Sequence, residues 1–333
     1  FGRGVAAADF DRDGRVDFVI ATATGAVIYR NAGRQGFLDE TATRLPVGFA
    51  TSFGGASKPI LGDVNGDGWL DLVLLTDNTA STDVLLLGQG AGVFRSPRPL
   101  PTRSTVTSDA VLVDVDGDGD LDLVRSIGAS GHATAAGRDG LAINDGTGHF
   151  TESAAFLQAP WNGDVIPTTG VLSLDANGDG RTDLFFTRAD SGSATGSPGA
   201  KNRLLLGIGG GAFIDGSSGL PNLADNSYGA AALDLEGDGD LDLVVANTLL
   251  GVSGANSGDV LVNQGGAQGG PAGTYLDRFD ALDEVPMISE AIRLGVLAAD
   301  VDLDGRTDVL FQVHDLPPGG GQPLFLGAST GPS

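Results

Sequence analysis

Nine residues, "DVDGDGDLD" at 114–122, can do chemistry of only one kind. Carboxylates stand at Asp114, Asp116, Asp118, Asp120 and Asp122, with glycines at 117 and 119 to fold the chain between them. Carboxylates held that close repel one another unless something neutralises them, and a cation is the natural partner. The pattern is not isolated: "DFDRDGRVD" (9–17), "DVNGDGWLD" (63–71), "DANGDGRTD" (175–183), "DLEGDGDLD" (234–242) and "DVDLDGRTD" (300–308) repeat it. Written as D-x-[DNE]-x-D-G-x-x-D, it offers side-chain oxygens at positions 1, 3, 5 and 9, and the carbonyl of position 7 can turn inward.

The candidate metal residues are therefore Asp9, Asp11, Asp13, Arg15 and Asp17 in loop one, and Asp63, Asn65, Asp67, Trp69 and Asp71 in loop two. Loop three supplies Asp114, Asp116, Asp118, Asp120 and Asp122, and loop four Asp175, Asn177, Asp179, Arg181 and Asp183. Loop five supplies Asp234, Glu236, Asp238, Asp240 and Asp242, and loop six Asp300, Asp302, Asp304, Arg306 and Asp308. The Arg and Trp residues at position 7 enter through their carbonyls. Hard oxygen donors in a flexible loop suit Ca²⁺ at about 2.3 to 2.6 Å better than Mg²⁺, which prefers a tight octahedron with retained waters. Up to six structural Ca²⁺ ions are expected, and six would halve the formal net charge of -24.

An EF-hand loop needs an acid at position 12 and flanking helices. Position 12 here is Ile20, Leu74, Arg125, Phe186, Val245 or Phe311, in runs of strand character. Thrombospondin type 3 repeats carry cysteines, and this chain has none. Metal-free Asp-Gly turns do not require four acids.

The elements that must position these loops are short. Before each loop comes a run of small and branched residues ("VAAAD", "PILGD", "VLSLD"), and in four copies a glycine sits five places ahead of the first Asp: Gly4, Gly170, Gly229 and Gly295. After each loop comes an apolar run such as "LVLLT" or "LFFT". A third run such as "VLLLG" or "LAIN" follows, and in four copies a glycine-rich turn then closes on Phe. These are four-to-five-residue β runs separated by turns, with no helical period longer than a turn or two. The best helical candidate is "MISEAI" (287–292).

Four strands per repeat of about 40 to 60 residues predicts an all-β fold, a six-bladed β-propeller of four-stranded antiparallel blades with a calcium loop between strands one and two. The 333 residues are read as one propeller domain, with blades starting near 1, 54, 106, 167, 227 and 293. The last unit, "LFLGASTGPS", stops where an outer strand should follow. A strand upstream of Phe1 would complete that blade, and a seventh blade outside the chain stays open. With Met287 the only methionine, the chain is read as processed, excised or partial.

In these features the chain resembles the FG-GAP or VCBS repeat family, the calcium-loop propellers of integrin α-chain heads and many secreted bacterial proteins. "FGRGVAAADFDRDGRVDFVIAT" carries its Phe-Gly opening and "YRNAGRQGFLDETA" (29–42) its blade ending. The resemblance spans nearly the whole chain and implies a ligand-binding face opposite the calcium loops. It also implies an extracellular, cell-surface or periplasmic location.

Asp and Glu outnumber Lys and Arg by 43 to 19, which argues against nucleic acid and anionic membranes as partners. No run approaches the ~18 apolar residues of a spanning helix, so no membrane insertion is expected. His132, His149 and His314 show no paired spacing, and "GIGGGAF" occupies a hairpin slot rather than a phosphate loop. The expectation is a protein that is not an enzyme.

Extra length gathers instead between strands two and three: 76–83, 128–140, 189–201, 249–258 and 314–323. Loops on a rigid scaffold are where recognition usually resides, although Gly/Ser-rich insertions are also tolerated without a partner. The functional reading is a calcium-stabilised binding or adhesion module for protein or carbohydrate. The alternatives are a lectin, a structural subunit of a larger extracellular or envelope assembly, and the noncatalytic propeller of a polysaccharide-degrading enzyme. Trp161 in "APWNGD" is the better candidate for stacking on a sugar, and Trp69, inside a loop, for packing.

Overall fold

The computed structural model describes residues 4–47, 49, 56–76, 82–101, 106–128, 138–159, 166–189, 200–248, 258–278, 292–301, 303, 305 and 307–314. Within them the chain forms antiparallel meanders in strict chain order. Sheet one is β1 (Val5–Ala8), β2 (Asp17–Thr22), β3 (Gly25–Asn31) and β4 (Phe37–Asp39). Sheet two is β5 (Ala56–Gly62), β6 (Asp71–Thr76), β7 (Val84–Gly88) and β8 (Phe94–Pro99). Sheet three is β9 (Thr107–Val113), β10 (Asp122–Ile127), β11 (Gly140–Asn144) and β12 (Phe150–Glu152).

Sheet four is β13 (Thr168–Leu174), β14 (Asp183–Arg188), β15 (Arg203–Gly209) and β16 (Ala212–Asp215). Sheet five is β17 (Asn226–Leu233), β18 (Asp242–Thr248), β19 (Gly258–Asn263) and β20 (Tyr275–Asp277). Strands β21 (Ile292–Ala299) and β22 (Asp308–His314) pair with each other and join sheet five through one bridge, Thr248 to Ile292. The chain divides into two compact units, Phe1–Gly163 with sheets one to three and Asp164–Ser333 with the rest.

Stacking explains why the second strand of a sheet reads as an unbroken apolar run. In β6, Leu72 and Leu74 pack with Val19, Ile28 and Phe10 of the first repeat. Val73 and Leu75 face the other way, onto Leu123, Ala142 and Phe150 of the third. All six residues of β6, β10 and β14 are buried. A strand covered on both faces has no reason to alternate. In the second unit, Phe185 and Leu204 meet Val245 and Leu261 in the same manner.

The first strand carries a feature the sequence shows only as a glycine. Its register with the second strand slips by one residue at the same place in five repeats, at Ala56/Lys58, Thr107/Asp109, Thr168/Gly170, Ser227/Gly229 and Arg293/Gly295. The recurring glycine follows this bulge, which bends and twists the strand.

Strand starts at Val5, Ala56, Thr107, Thr168, Asn226 and Ile292 mark the six repeats. Among the described residues a short helical turn follows the fourth strand in three of them, α-helical at Thr41–Arg44 and Ala154–Gln158 and 3-10 at Ser217–Gly219. Of the helical candidate 287–292, Ile292 opens β21 and the remainder lies outside the described residues, as does the third run of the last repeat. Among the described residues no helix is long and apolar enough to cross a membrane.

The third strand approaches the loop backbone closely. A methyl on Gly207 would lie 2.3 Å from the Thr182 carbonyl oxygen, and one on Gly88 2.2 Å from that of Leu70. Gly207→Ala should therefore destabilise the protein by about 1 to 3 kcal/mol in urea denaturation, the usual cost of overpacking. Wild-type stability for this variant would show that the two segments do not meet.

Candidate metal centre

In every repeat the residue before position 1 pairs with position 9: Ala8 with Asp17, Gly62 with Asp71, Val113 with Asp122, Leu174 with Asp183, Leu233 with Asp242 and Ala299 with Asp308. The acidic segments are thus the connections between strands one and two. Each is wound by its own carboxylates. Position 1 accepts the N–H of position 6, from Gly14 to Asp9 at 2.8 Å, Gly68 to Asp63 at 2.7 Å, Gly119 to Asp114 at 2.9 Å and Gly180 to Asp175 at 2.8 Å. The same bond runs from Gly239 to Asp234 at 3.0 Å and from Gly305 to Asp300 at 2.9 Å.

Position 5 accepts the N–H of position 7, as from Trp69 to Asp67 at 2.8 Å and Asp120 to Asp118 at 2.9 Å. Position 4 takes a left-handed conformation, with glycine in loops two to five, and Arg12 (φ 61°) and Leu303 (φ 63°) in its place in the other two.

Position 9 is the buried member. Its Oδ2 accepts the N–H of position 2: Phe10 to Asp17, Val64 to Asp71, Val115 to Asp122, Ala176 to Asp183, Leu235 to Asp242 and Val301 to Asp308, at 2.8 to 3.3 Å. In the five repeats described that far, its Oδ1 accepts an N–H from the end of the third strand, at Asn31, Gly88, Asn144, Gly207 and Asn263 (2.6 to 2.8 Å). Burial outweighs these donors. It pushes the carboxyls of Asp71 and Asp122 up to about 6 and that of Asp242 up to about 7, and raises Asp17 and Asp183 as well.

The folded loops hold protons more tightly than the unfolded chain does. In cation-free solution their contribution to stability therefore falls as pH rises from about 4 through 6 to 7.

The donor set fits a hard cation. In loops one and three, Asp9, Asp11 and Asp17, and Asp114, Asp116 and Asp122, bring carboxylate oxygens within 4.8 Å of one another. Buried carboxylate oxygens without a hydrogen-bond partner remain on Asp11 at position 3, on Glu236 at position 3, and on Asp240 at position 7. Such oxygens are costly unless a cation or proton meets them. Burial and the neighbouring Asp238 push Asp240 up to about 7. Positions 5 lie outside the two trios, their carboxylates turned to the loop backbone. In loops two and four the amides of Asn65 and Asn177 donate to Asp67 and Asp179 at 3.0 and 3.3 Å. Asp302, Asp304 and Arg306 lie outside the described residues.

Loop one has neighbours that the repeat pattern did not reveal. Arg44, from the helical turn after β4, reaches Asp11 at 3.1 Å and Glu40 at 2.8 Å, and Arg15 pairs with Asp13. Arg12 stacks over Trp69 at 4.1 Å from the ring centroid, while Gly90 lies close against the same indole. Trp69 is thus a packing residue between loops one and two, as expected. Trp161, His132 and the bodies of the long loops between strands two and three lie outside the described residues. His149 is exposed, with Nδ1 3.7 Å from Asp145. A cleft of about 480 Å³ lies between β8 and β12, with Leu85, Leu100 and Phe150 beneath Arg98, His149 and Glu152.

Comparison with solved structures finds the fold in a lectin of Agrocybe aegerita, described as recognising non-reducing terminal N-acetylglucosamine. Identity is 18% and the TM-score 0.57, over 93% of this chain and 74% of the lectin. The V. cholerae biofilm matrix protein Bap1 aligns at 15% identity and a TM-score of 0.41 (84% of this chain, 40% of that one), and the GH74 enzyme of Niastella koreensis at 15% and 0.46 (83% and 37%). No curated protein matches. The FG-GAP-like repeat model matches residues 9–74, 63–124 and 175–245, more than half of the chain and five of its six acidic loops in whole, and the chain belongs to that repeat family.

Proposed function

We propose that the chain is a six-bladed, calcium-stabilised β-propeller acting as a noncatalytic binding or adhesion module for a glycan or protein ligand. The observation that carries this reading is the convergence of carboxylates at positions 1, 3 and 9 in loops one and three, joined in loop one by a buried, unpartnered oxygen of Asp11. Calcium supplies positive charge at the centre of each loop. The chain's own part is to hold position 9 between two backbone N–H groups and to wind positions 1 and 5 around the turn. Asp9, Asp11 and Asp17, with Asp114, Asp116 and Asp122, would be the first to hold such ions. Loops of this affinity class, at about 10⁻⁴ to 10⁻³ M, suit an extracellular, cell-surface or periplasmic setting.

The ligand face in this reading is the one opposite the calcium loops, because insertions accumulate between strands two and three while the acidic connections keep one length. The lectin alternative rests on likeness of fold. A structural subunit, or the noncatalytic propeller of a polysaccharide-degrading enzyme, are the remaining alternatives.

Two measurements test this. Chelation with EDTA should lower the melting temperature on the order of 10 °C relative to 1 mM calcium, since a ligand bound only by the folded state adds on the order of 1 kcal/mol per site at such affinities. An unchanged melting temperature would remove calcium from the account. Screening the calcium-loaded protein on a glycan array should then give selective binding that chelation abolishes. A clean negative on folded protein would leave a protein partner or an assembly role, and turnover of a polysaccharide would overturn the noncatalytic reading.

A further inference from the structure

One position near the end of the third strand alternates in the described repeats, Asn31, Gly88, Asn144, Gly207 and Asn263, and the sequence continues the alternation at Gly327. Its backbone N–H does the same work wherever it is described, donating to the position 9 aspartate of its own repeat. The side chains differ in what they add. Asn144, 2% exposed, donates from Nδ2 to the carbonyl of Leu121 in its own loop at 3.1 Å and to that of Val64 in the preceding loop at 2.7 Å, and its Oδ1 accepts the N–H of Gly148. Asn263, fully buried, repeats this with Leu241 at 3.2 Å and Ala176 at 2.8 Å. Gly88 and Gly207 have no side chain to reach a neighbour, and their repeats bring the position 8 carbonyl where a Cβ would stand.

Two continuous chains of hydrogen bonds result. In the first, Asp71 accepts the N–H of Val64 at 2.9 Å, the carbonyl of Val64 accepts from the Asn144 amide, and the N–H of Asn144 donates to Asp122 at 2.8 Å. In the second, Asp183, Ala176, Asn263 and Asp242 stand in the same order at 2.9, 2.8 and 2.8 Å. Each joins the position 9 carboxylates of two neighbouring loops through a single amide.

We propose that the loops bind calcium in cooperative pairs, two with three and four with five, and that Asn144 and Asn263 are the positioning residues that carry the coupling. This rests on the calcium reading of the loops. Filling loop three fixes Asp122, and with it Asn144 and the Val64 peptide that holds Asp71. Loop two then has less freedom left to lose, which gives positive cooperativity without a change of shape. The coupling is reciprocal by linkage.

Trp69 stands at position 7 of loop two and packs on Arg12 of loop one, so terbium(III) luminescence excited through it reports those two loops once Trp161→Phe has removed the other tryptophan, and the component that Asp67→Asn removes is that of loop two. In the full-length W161F protein, Asp114→Asn with Asp116→Asn should raise the terbium midpoint of loop two by about fivefold or more. Asp9→Asn with Asp11→Asn in loop one, which no asparagine links to loop two, should leave that midpoint in place. In an Asn144→Gly background the loop three lesion should lose its effect. An unmoved midpoint after the loop three lesion, or equal shifts from both lesions, overturns the coupling while the calcium reading stands. Absence of chelator-reversible luminescence overturns both.

Discussion

The structure depends on the buried aspartate that ends each acidic loop. One carboxylate takes an N–H from the start of its own loop and, in every repeat described that far, a second from the far end of the third strand, so it ties three segments of a sheet to one point. The cost is a desolvated charge: burial raises Asp71, Asp122 and Asp242 despite the donors each receives. A carboxylate in that position is stable when something positive faces it, so the folding problem and the ligand problem of the loop have one solution.

The same logic orders the surroundings. Positions 1 and 5 wind the turn with bonds to the backbone, while position 3 is left with oxygens that the backbone does not reach in loops one and five. Loop one is a variant of the scheme. Its Asp11 shares Arg44 with Glu40, and its Asp13 is paired with Arg15, so part of the charge is balanced by the chain itself.

Much of this was legible in the sequence because strand, loop and strand repeat six times. The loop boundaries, the strand starts and the strand character of position 12 follow from the spelling of one repeat compared with the next; Leu74, Phe186 and Val245 all lie in second strands. What escaped was whatever does not repeat at the same offset. Arg44 comes from a helical turn after the fourth strand, Arg12 meets Trp69 across two repeats, and the bulge in the first strand leaves only a glycine as its trace. The asparagine and glycine near the end of the third strands were in plain view as the last residues of the third runs, but the spelling gives no sign of what their side chains reach. Only the partners of Asn144 and Asn263 separate them.

That alternation makes the smallest unit that reproduces itself along the chain two sheets long. Read by this position, the sequence is three copies of a doublet, Asn then Gly, rather than six copies of a singlet, with Asn144 and Asn263 as the struts of the described residues. A lineage that lengthened or shortened the chain by one repeat would set two sheets of the same type side by side. Where both carried glycine, a boundary would lack the asparagine strut that Asn144 and Asn263 provide. Growth by doublets keeps every strut in phase, so the unit of duplication for this architecture is the pair.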